Sequence, residues 1–196
     1  MMTTPLLDRR AFVAGLLEDR GDLVVVSGLG SATYDVAAAG DHPLNVYQWG
    51  GMGGTAMIGL GLALAQPNRR VVVITGDGEM LMGLGSLATI GVKRPANLSI
   101  VVLDNERYGE TGMQASHTSA GVDLVAIARS CGFADSRLVS DASDTPAVRE
   151  LMHHASGPVF IQAKIRRDDV PRVLPTRDGH EMRLRVARTL DEASAP

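Results

Sequence analysis

Residues 71–108 read VVVITGDGEMLMGLGSLATIGVKRPANLSIVVLDNERY. Two apolar runs, 71–74 and 98–103, lie near its ends, and such Val-, Ile- and Leu-rich runs are typical of strands buried on both faces. The residues between them, 79–92, have the pattern of a helix. A strand, a helix and a second strand in this order predict a right-handed crossover between parallel strands.

The same alternation continues on both sides of this segment. Further strands are predicted at 23–26, 159–163 and, shorter, 44–47; further helices are predicted at 12–20, 33–39, 53–65, 122–132, 145–155 and 178–193. The pattern favours an α/β fold with a doubly wound, mainly parallel sheet flanked by helices. We interpret residues 1–196 as a single domain, in which 166–196 form a carboxyl-terminal extension.

The composition of the 196 residues excludes several classes of protein. The 19 Lys and Arg residues against 22 Asp and Glu give a net charge of -3, without the basic excess of a nucleic-acid-binding protein. Cys131 is the only cysteine, so a disulfide within the chain is excluded and a reducing, cytoplasmic location is expected. The apolar segment 52–65 is shorter than the roughly 20 residues of a membrane helix, so no membrane partner is expected.

Polar groups follow two predicted strands. Gly76-Asp77-Gly78 follows the run 71–74, and Asn105 follows the run 98–103. If the two strands are adjacent, their carboxyl ends lie side by side and bring these groups together. Flanking glycines leave backbone N–H groups free for an anion, while carboxylate, amide and backbone carbonyl oxygens are ligands of Mg²⁺. The residues therefore predict a site for a magnesium-bound diphosphate.

Two segments resemble the motifs of thiamine diphosphate enzymes. They are GDGEMLMGLGSLATIGVKRPANLSIVVLDNERYGETG at 76–112 and QWGGMGGTAMIGLGLALAQP at 48–67. Within this family the chain most resembles the separate cofactor-binding subunits of sulfopyruvate decarboxylases and the carboxyl-terminal domains of phosphonopyruvate decarboxylases. The resemblance covers about residues 45–115 and implies thiamine diphosphate and Mg²⁺ as cofactors.

The resemblance also implies individual roles. Asp77 and Asn105 would bind Mg²⁺ through their side chains and Arg107 through its carbonyl, while Asp104 stands where many members carry Asn. The cofactor-binding set comprises Gly30, Ser31, Thr33, Gly50, Met52, Gly76, Asp77, Gly78, Glu79, Met80, Asn105, Tyr108 and Gly109, of which 78–80 would use backbone N–H groups.

Two members of this set are the candidate catalytic residues. Met52 would press between the two rings of the cofactor and enforce its bent conformation. The carbonyl of Gly50 would accept a hydrogen bond from the 4′-amino group of the pyrimidine, which favours the tautomer that activates the thiazolium carbon.

The resemblance implies that the chain carries half of an active site. In this family a separate pyrimidine-binding domain provides a catalytic glutamate, and only 22 residues precede the first strong strand here. We therefore expect an α-like partner subunit that supplies this glutamate, in a heterotetramer or larger assembly. The implied function is that of the β-like subunit of a decarboxylase for a small 2-oxoacid. The loop Glu110–His117 is expected either to close over the substrate or to be a plain surface loop.

Other interpretations stay open. The same cofactor would serve a carboligase of the acetolactate synthase kind, an oxidoreductase, or a homologue without activity. Met52 also fits a core side chain. Residues 28–33 imitate a dinucleotide fingerprint but lack its third glycine and its acidic residue. His153 and His154 are expected on the surface or in the core rather than as ligands, and Cys131 as a buried small residue.

Overall fold

The computed structural model describes residues 6–192, which form one parallel sheet and a small hairpin. The strands are Val24–Ser27 (β1), Asn45–Tyr47 (β2), Val71–Gly76 (β3), Leu98–Asp104 (β4), Arg107–Tyr108 (β5), Gln114–Ala115 (β6), Asp135–Val139 (β7) and Val159–Lys164 (β8). The helices are Arg9–Leu17 (α1), Ser31–Ala38 (α2), Thr55–Ala65 (α3), Asp77–Met82 (α4), Ser86–Lys93 (α5), Leu124–Ser130 (α6), Thr145–His154 (α7) and Gly179–Glu192 (α8). In residues 6–192 no helix is both long enough and apolar enough to cross a bilayer.

The six long strands confirm the predicted doubly wound sheet. Their order is β2-β1-β3-β4-β8-β7, and all five pairings are parallel. β3 lies between β1 and β4, in the register that pairs Val71 with Leu98 and Gly76 with Leu103. The carboxyl ends of β1, β3 and β4 therefore meet at one edge of the sheet, as expected for parallel neighbours.

Alternate residues of each strand face two separate apolar cores. Val71 and Val73 pack in the core that contains residues of α3, α5 and α6, whereas Val72 and Ile74 pack in the core that contains residues of α1, α2 and α7. Because both faces of β3 are covered, its residues do not alternate between apolar and polar, and the strand is a continuous apolar run.

The helix predicted at 79–92 is wrong as one element. The chain forms α4 and α5 instead, with a break at residues 83–85. Gly83 lies directly against the backbone of Gly53, where a Cβ on Gly83 would overlap the Gly53 carbonyl oxygen. Gly83 thus serves a close backbone contact at the break, and the helical spacing alone did not reveal this.

Other boundaries differ from the predicted ones by a few residues. The first helix begins at Arg9 because the side chain of Asp8 caps it, its Oδ1 accepting a hydrogen bond from the Ala11 N–H at 2.9 Å. The predicted last helix corresponds to α8, and its predicted end at Ala193 lies outside the described residues. β7 was not predicted, because its sequence DSRLV carries charges at an edge of the sheet.

Residues 166–192 run back across the domain from the end of β8 to β2. The indole N–H of Trp49 donates to the Thr176 carbonyl at 2.8 Å, and the guanidinium of Arg177 lies 5.2 Å from the Trp49 ring centre. Val186 and Leu190 of α8 are buried in the core that contains α3. This extension is therefore packed on the residues that lead into the glycine-rich segment 50–54.

Candidate active site

A cavity of about 320 Å³ opens at the carboxyl edge of the sheet. Ten of the predicted site residues line it, namely Ser31, Met52, Gly76, Asp77, Gly78, Glu79, Asn105, Arg107, Tyr108 and Gly109. The structure thus brings together the GDG turn, the Asn105 loop and the glycine-rich segment before α3, which are far apart in sequence. The predicted residues that do not line the cavity are Gly30, Thr33, Gly50 and Met80.

Two of these four have side chains engaged elsewhere. The Thr33 hydroxyl donates to the Gly28 carbonyl at 2.8 Å and lies 2.7 Å from the Ser27 hydroxyl, and Thr33 is fully buried. Met80 is 2% exposed and belongs to the apolar core. Both side chains therefore support the walls of the site from behind.

The second glycine of the GDG turn is required by the ring of Tyr108. Gly76 precedes α4, which begins at Asp77, so Gly78 lies in the first turn of this short helix. A Cβ on Gly78 would lie 2.5 Å from Cδ1 of Tyr108. Only glycine lets the aromatic ring pack directly on the backbone here.

Asp77 is a buried carboxyl group at the floor of the cavity, only 1% exposed. Its Oδ2 accepts a hydrogen bond from the Ser116 hydroxyl and lies 3.3 Å from the Thr118 hydroxyl oxygen. Burial raises the pKa of Asp77 to about 6, with a further contribution from the nearby Asp104 carboxylate and an opposing one from the Ser116 hydrogen bond. Among the described residues no Lys or Arg pairs with this buried carboxyl group, which is therefore suited to a bound cation.

Asn105 and Arg107 form the other side of the predicted metal site. The Asn105 Oδ1 accepts a hydrogen bond from the Arg107 N–H at 2.9 Å, which fixes the amide group beside the turn. In residues 6–192 no cluster of three or more His, Cys, Asp or Glu side chains is arranged to hold a metal. The donors at the site are one carboxylate, one amide oxygen and backbone carbonyls. This set fits Mg²⁺, which usually has few protein ligands and completes its shell with phosphate oxygens and water.

Asp104 does not leave a free charge in the site. Its Oδ2 accepts from the Gln162 side chain at 2.6 Å and lies 2.8 Å from the Lys164 ammonium group, while its Oδ1 accepts from the Thr118 hydroxyl. Desolvation lowers the pKa of Lys164, but its contacts with Asp104 and Glu106 outweigh this and raise the pKa overall. An Asp in place of the usual Asn is therefore compensated within the protein.

The loop Glu110–His117 is ordered by the β5–β6 hairpin. Glu110 lies against Gly30 at the start of α2, where a Cβ on Gly30 would be 2.7 Å from the Glu110 carboxylate oxygen Oε1. The same carboxylate lies 3.7 Å from the guanidinium of Arg172 in the carboxyl-terminal extension. Glu110 and Thr111 line the cavity, so this part of the loop borders the space in which a ligand would lie.

Sequence reasoning missed four side chains that hold the two aspartates. Ser116 and Thr118 follow the hairpin, and Gln162 and Lys164 end β8. The position of Lys164 at the end of a predicted strand was a usable signal for the latter pair. No local pattern marks Ser116 or Thr118, because the hairpin alone returns them to Asp77.

The alternative candidates lie away from this cavity. His153 and His154 line an open groove of about 530 Å³ between α1 and α7, and His154 lies 3.8 Å from the exposed Glu150. Cys131 is half-buried at the end of α6, which corrects the expectation that it is buried. Neither feature contributes to the site at the sheet edge.

Comparison with known proteins agrees with this geometry. Residues 28–163 match the family described as the thiamine pyrophosphate enzyme, C-terminal TPP binding domain. The chain is 40% identical over 161 residues to the sulfopyruvate decarboxylase subunit beta of Methanothermobacter thermautotrophicus, an alignment that covers 81% of this chain and 82% of the relative. It is 39% identical over 145 residues to the phosphonopyruvate decarboxylase of Streptomyces viridochromogenes, covering 74% of this chain and 36% of the relative.

A solved structure shows the same fold. The benzoylformate decarboxylase of Polynucleobacter necessarius superposes with a TM-score of 0.71 at 21% identity, over 84% of this chain and 34% of that one. The chain spans about a third of that structure and of the phosphonopyruvate decarboxylase, but most of the sulfopyruvate decarboxylase subunit.

Proposed function

The chain belongs to the thiamine pyrophosphate enzymes, as their carboxyl-terminal cofactor-binding domain, and we propose that it is the β-like subunit of a 2-oxoacid decarboxylase. The cavity carries the proposal, because it joins Asp77, Asn105 and the GDG turn to the exposed side chain of Met52. The substrate class follows from the relatives, which are named sulfopyruvate and phosphonopyruvate decarboxylases. Both names describe a 2-oxoacid that carries a second anionic group besides its carboxylate, a sulfonate or a phosphonate.

Mg²⁺ would be held by Asp77, Asn105 and the carbonyl of Arg107. Both hydroxyl contacts to Asp77 are made to Oδ2, and Oδ1 would bind the cation. The buried Asp77 carboxyl gains a positive partner in this way, and the cation in turn neutralises a diphosphate where the GDG turn has no Lys or Arg. The backbone N–H groups at the start of α4 would bind the diphosphate oxygens.

Thiamine diphosphate, when bound, supplies a nucleophilic carbon and accepts the electrons released as the 2-oxoacid loses CO₂. The chain's own residues orient it. Met52 would support the bent arrangement of the two rings, and the Gly50 carbonyl would accept a hydrogen bond from the 4′-amino group. Gly50 does not line the cavity, and it follows Trp49, whose indole binds the carboxyl-terminal extension.

The proposed partner is a pyrimidine-binding subunit that completes the site. An exposed apolar surface borders the cavity and supports this proposal. It is formed by Met52 and Met82 at the cavity rim and by Met57, Ile58 and Leu64 of α3. α3 has no charged residue, and exposed apolar surfaces of this kind are typical of protein interfaces. A shared site of this kind suits a symmetric heterotetramer or a larger assembly.

The proposal is tested by calorimetric titration of thiamine diphosphate with Mg²⁺ into the chain, alone and together with a pyrimidine-binding subunit. We expect binding to require Mg²⁺ and to tighten when the partner is present, and the complex to release CO₂ from sulfopyruvate or phosphonopyruvate. Pyruvate is the matched substrate without the second anionic group. Binding without CO₂ release from any 2-oxoacid would reject the decarboxylase, and absence of binding would reject the cofactor.

A further inference from the structure

Glu79, the residue after the GDG turn, has a side chain that is 5% exposed and fully engaged. Its Oε1 accepts hydrogen bonds from the backbone N–H of Gly53 at 3.2 Å, from the backbone N–H of Thr55 at 3.1 Å and from the Thr55 hydroxyl. Its Oε2 accepts from the hydroxyl of Thr75. These contacts join α4 to the glycine-rich segment before α3 and to the end of β3, so the carboxylate holds three elements together.

The glycine-rich segment carries Met52 at the tip of a tight turn. Gly51 and Gly53 have φ angles of 68° and 89°, and the Gly54 N–H donates to the Gly51 carbonyl at 3.0 Å. On one side Gly53 packs on the backbone of Gly83, and on the other its N–H binds Glu79. The turn therefore has few ways to move as long as the Glu79 acceptor is present.

We propose that Glu79 is a positioning residue for Met52, because its carboxylate fixes the turn 51–54 against α4 and so holds the Met52 side chain in the cavity. The inference rests on the proposed function, since the contact of Met52 with thiamine diphosphate is itself proposed. It goes beyond the backbone N–H role first predicted for Glu79. The side chain acts on the ring end of the cofactor, through Met52.

The chemistry of the donors determines which substitutions are informative. The backbone N–H groups of Gly53 and Thr55 can only donate, so the side chain at 79 must present an acceptor to them. A Gln can do so with its amide oxygen, while its NH₂ group faces the Thr75 hydroxyl. A Met has a similar length but leaves both N–H groups without a partner. Glu79→Met is therefore the disruptive variant and Glu79→Gln the conservative one.

The experiment compares two ligands by calorimetry with Mg²⁺, under conditions in which the wild-type chain binds thiamine diphosphate, alone or with its partner. Inorganic pyrophosphate reports the diphosphate and metal site only, whereas thiamine diphosphate also reports the rings. We expect Glu79→Met to weaken thiamine diphosphate by about tenfold or more while pyrophosphate is unchanged, because buried N–H groups lose their acceptor and the turn relaxes. Glu79→Gln should bind both ligands like the wild type.

A double-mutant cycle tests whether Glu79 acts through Met52. Met52→Ala should also weaken thiamine diphosphate and spare pyrophosphate, and combining it with Glu79→Met should add little further loss. Independent, additive losses would overturn the inference. So would equal weakening of both ligands by Glu79→Met, or no weakening of either.

Two further outcomes can be told apart, namely misfolding of the Glu79→Met variant and failure of the proposed function. If Glu79→Met does not fold, Thr55→Val removes the hydroxyl contacts to Glu79 Oε1 and to Gln48 Oε1, and a loss of thiamine diphosphate affinity with pyrophosphate spared is expected again. An unchanged Thr55→Val protein would then overturn the inference. If the wild type binds pyrophosphate but not thiamine diphosphate under any condition, the proposed function itself fails, and this inference with it.

Discussion

Asp77 and Asp104 end or follow neighbouring strands, yet the protein surrounds them differently. Asp104 is paired with the ammonium group of Lys164 and with the Gln162 amide, so its charge is balanced inside the chain. Asp77 instead has the hydroxyls of Ser116 and Thr118 as side-chain neighbours, and its own backbone N–H as a further donor. Within residues 6–192, the aspartate without a Lys or Arg partner is therefore the one that the family resemblance assigns to the metal.

This difference predicts opposite effects of two similar substitutions. Asp77→Asn should weaken Mg²⁺-dependent binding of thiamine diphosphate by at least about 100-fold. Removing a direct metal ligand lowers the affinity more than removing a group that only orients a ligand. The thermal midpoint of this variant should not fall, since burial raises the pKa of Asp77 and the ionised form therefore destabilises the fold at neutral pH. Calorimetric titration and thermal unfolding measure the two effects.

Asp104→Asn is the matched control. We expect it to keep the affinity for Mg²⁺ and the cofactor, but to lose about 2 kcal/mol of stability because Lys164 loses a buried partner and keeps only Glu106. Unaltered metal-dependent binding in Asp77→Asn, or its loss in Asp104→Asn, would contradict the assignment of Asp77 as the ligand.

The sequence predicts which residues meet at the cavity when they directly follow a strand. It does not predict this for residues that reach the cavity only through the path of a loop. Asp77 and Asn105 were placed together because adjacent parallel strands end side by side. Ser116 and Thr118 reach Asp77 only after the β5–β6 hairpin, whose two-residue strands have no periodic pattern. The contacts of the Glu79 side chain were also missed, because the backbone N–H groups that it binds lie 24 and 26 residues away in the sequence.

Apolar runs predicted the central strands and the edge strand β2, but not β7 at the opposite edge. β3, β4 and β8 are covered on both faces and read as apolar, whereas β7 has one neighbour and keeps Asp135 and Arg137. The spacing of 79–92 was helical throughout, so the break between α4 and α5 depends on glycines that serve tertiary contacts. Gly83 makes such a contact with the backbone of Gly53 at the break, and within α5 Gly91 makes another with Cys131.

The contact between α5 and the end of α6 yields a second prediction. A Cβ on Gly91 would overlap the Cys131 carbonyl, so Gly91→Ala should destabilise the fold by about 2 kcal/mol or more, although Ala is the better helix former. Gly61→Ala in α3 is the control, because no heavy atom lies within 4 Å of the added Cβ. It should stabilise the protein by about 0.5–1 kcal/mol. Urea unfolding measures both, and equal effects would refute the packing argument.

For the molecule as a whole, the proposed function requires a partner subunit to complete the site. Two apolar cores cover both faces of the sheet, but the uncharged helix α3 still exposes Met57, Ile58 and Leu64. Met57 and Leu64, seven residues apart, lie on the same face of α3, which begins three residues after Met52. An apolar face that reaches the mouth of the site is where the pyrimidine-binding subunit would complete both the core and the active site.

A charge on this face should separate folding from assembly. Met57 lies in the first turn of α3, where a negative side chain favours the helix, so Met57→Glu should leave the thermal midpoint of the isolated chain unchanged. Burying that carboxylate at an apolar interface is costly, and we expect affinity for the partner to fall by about thirtyfold or more. Leu138→Glu introduces the same charge on the exposed edge strand β7 and should not affect assembly. Analytical ultracentrifugation of the mixed subunits measures the difference. If Met57→Glu assembles like the wild type while Leu138→Glu does not, the partner occupies the β7 edge, and the exposed face of α3 is not the interface.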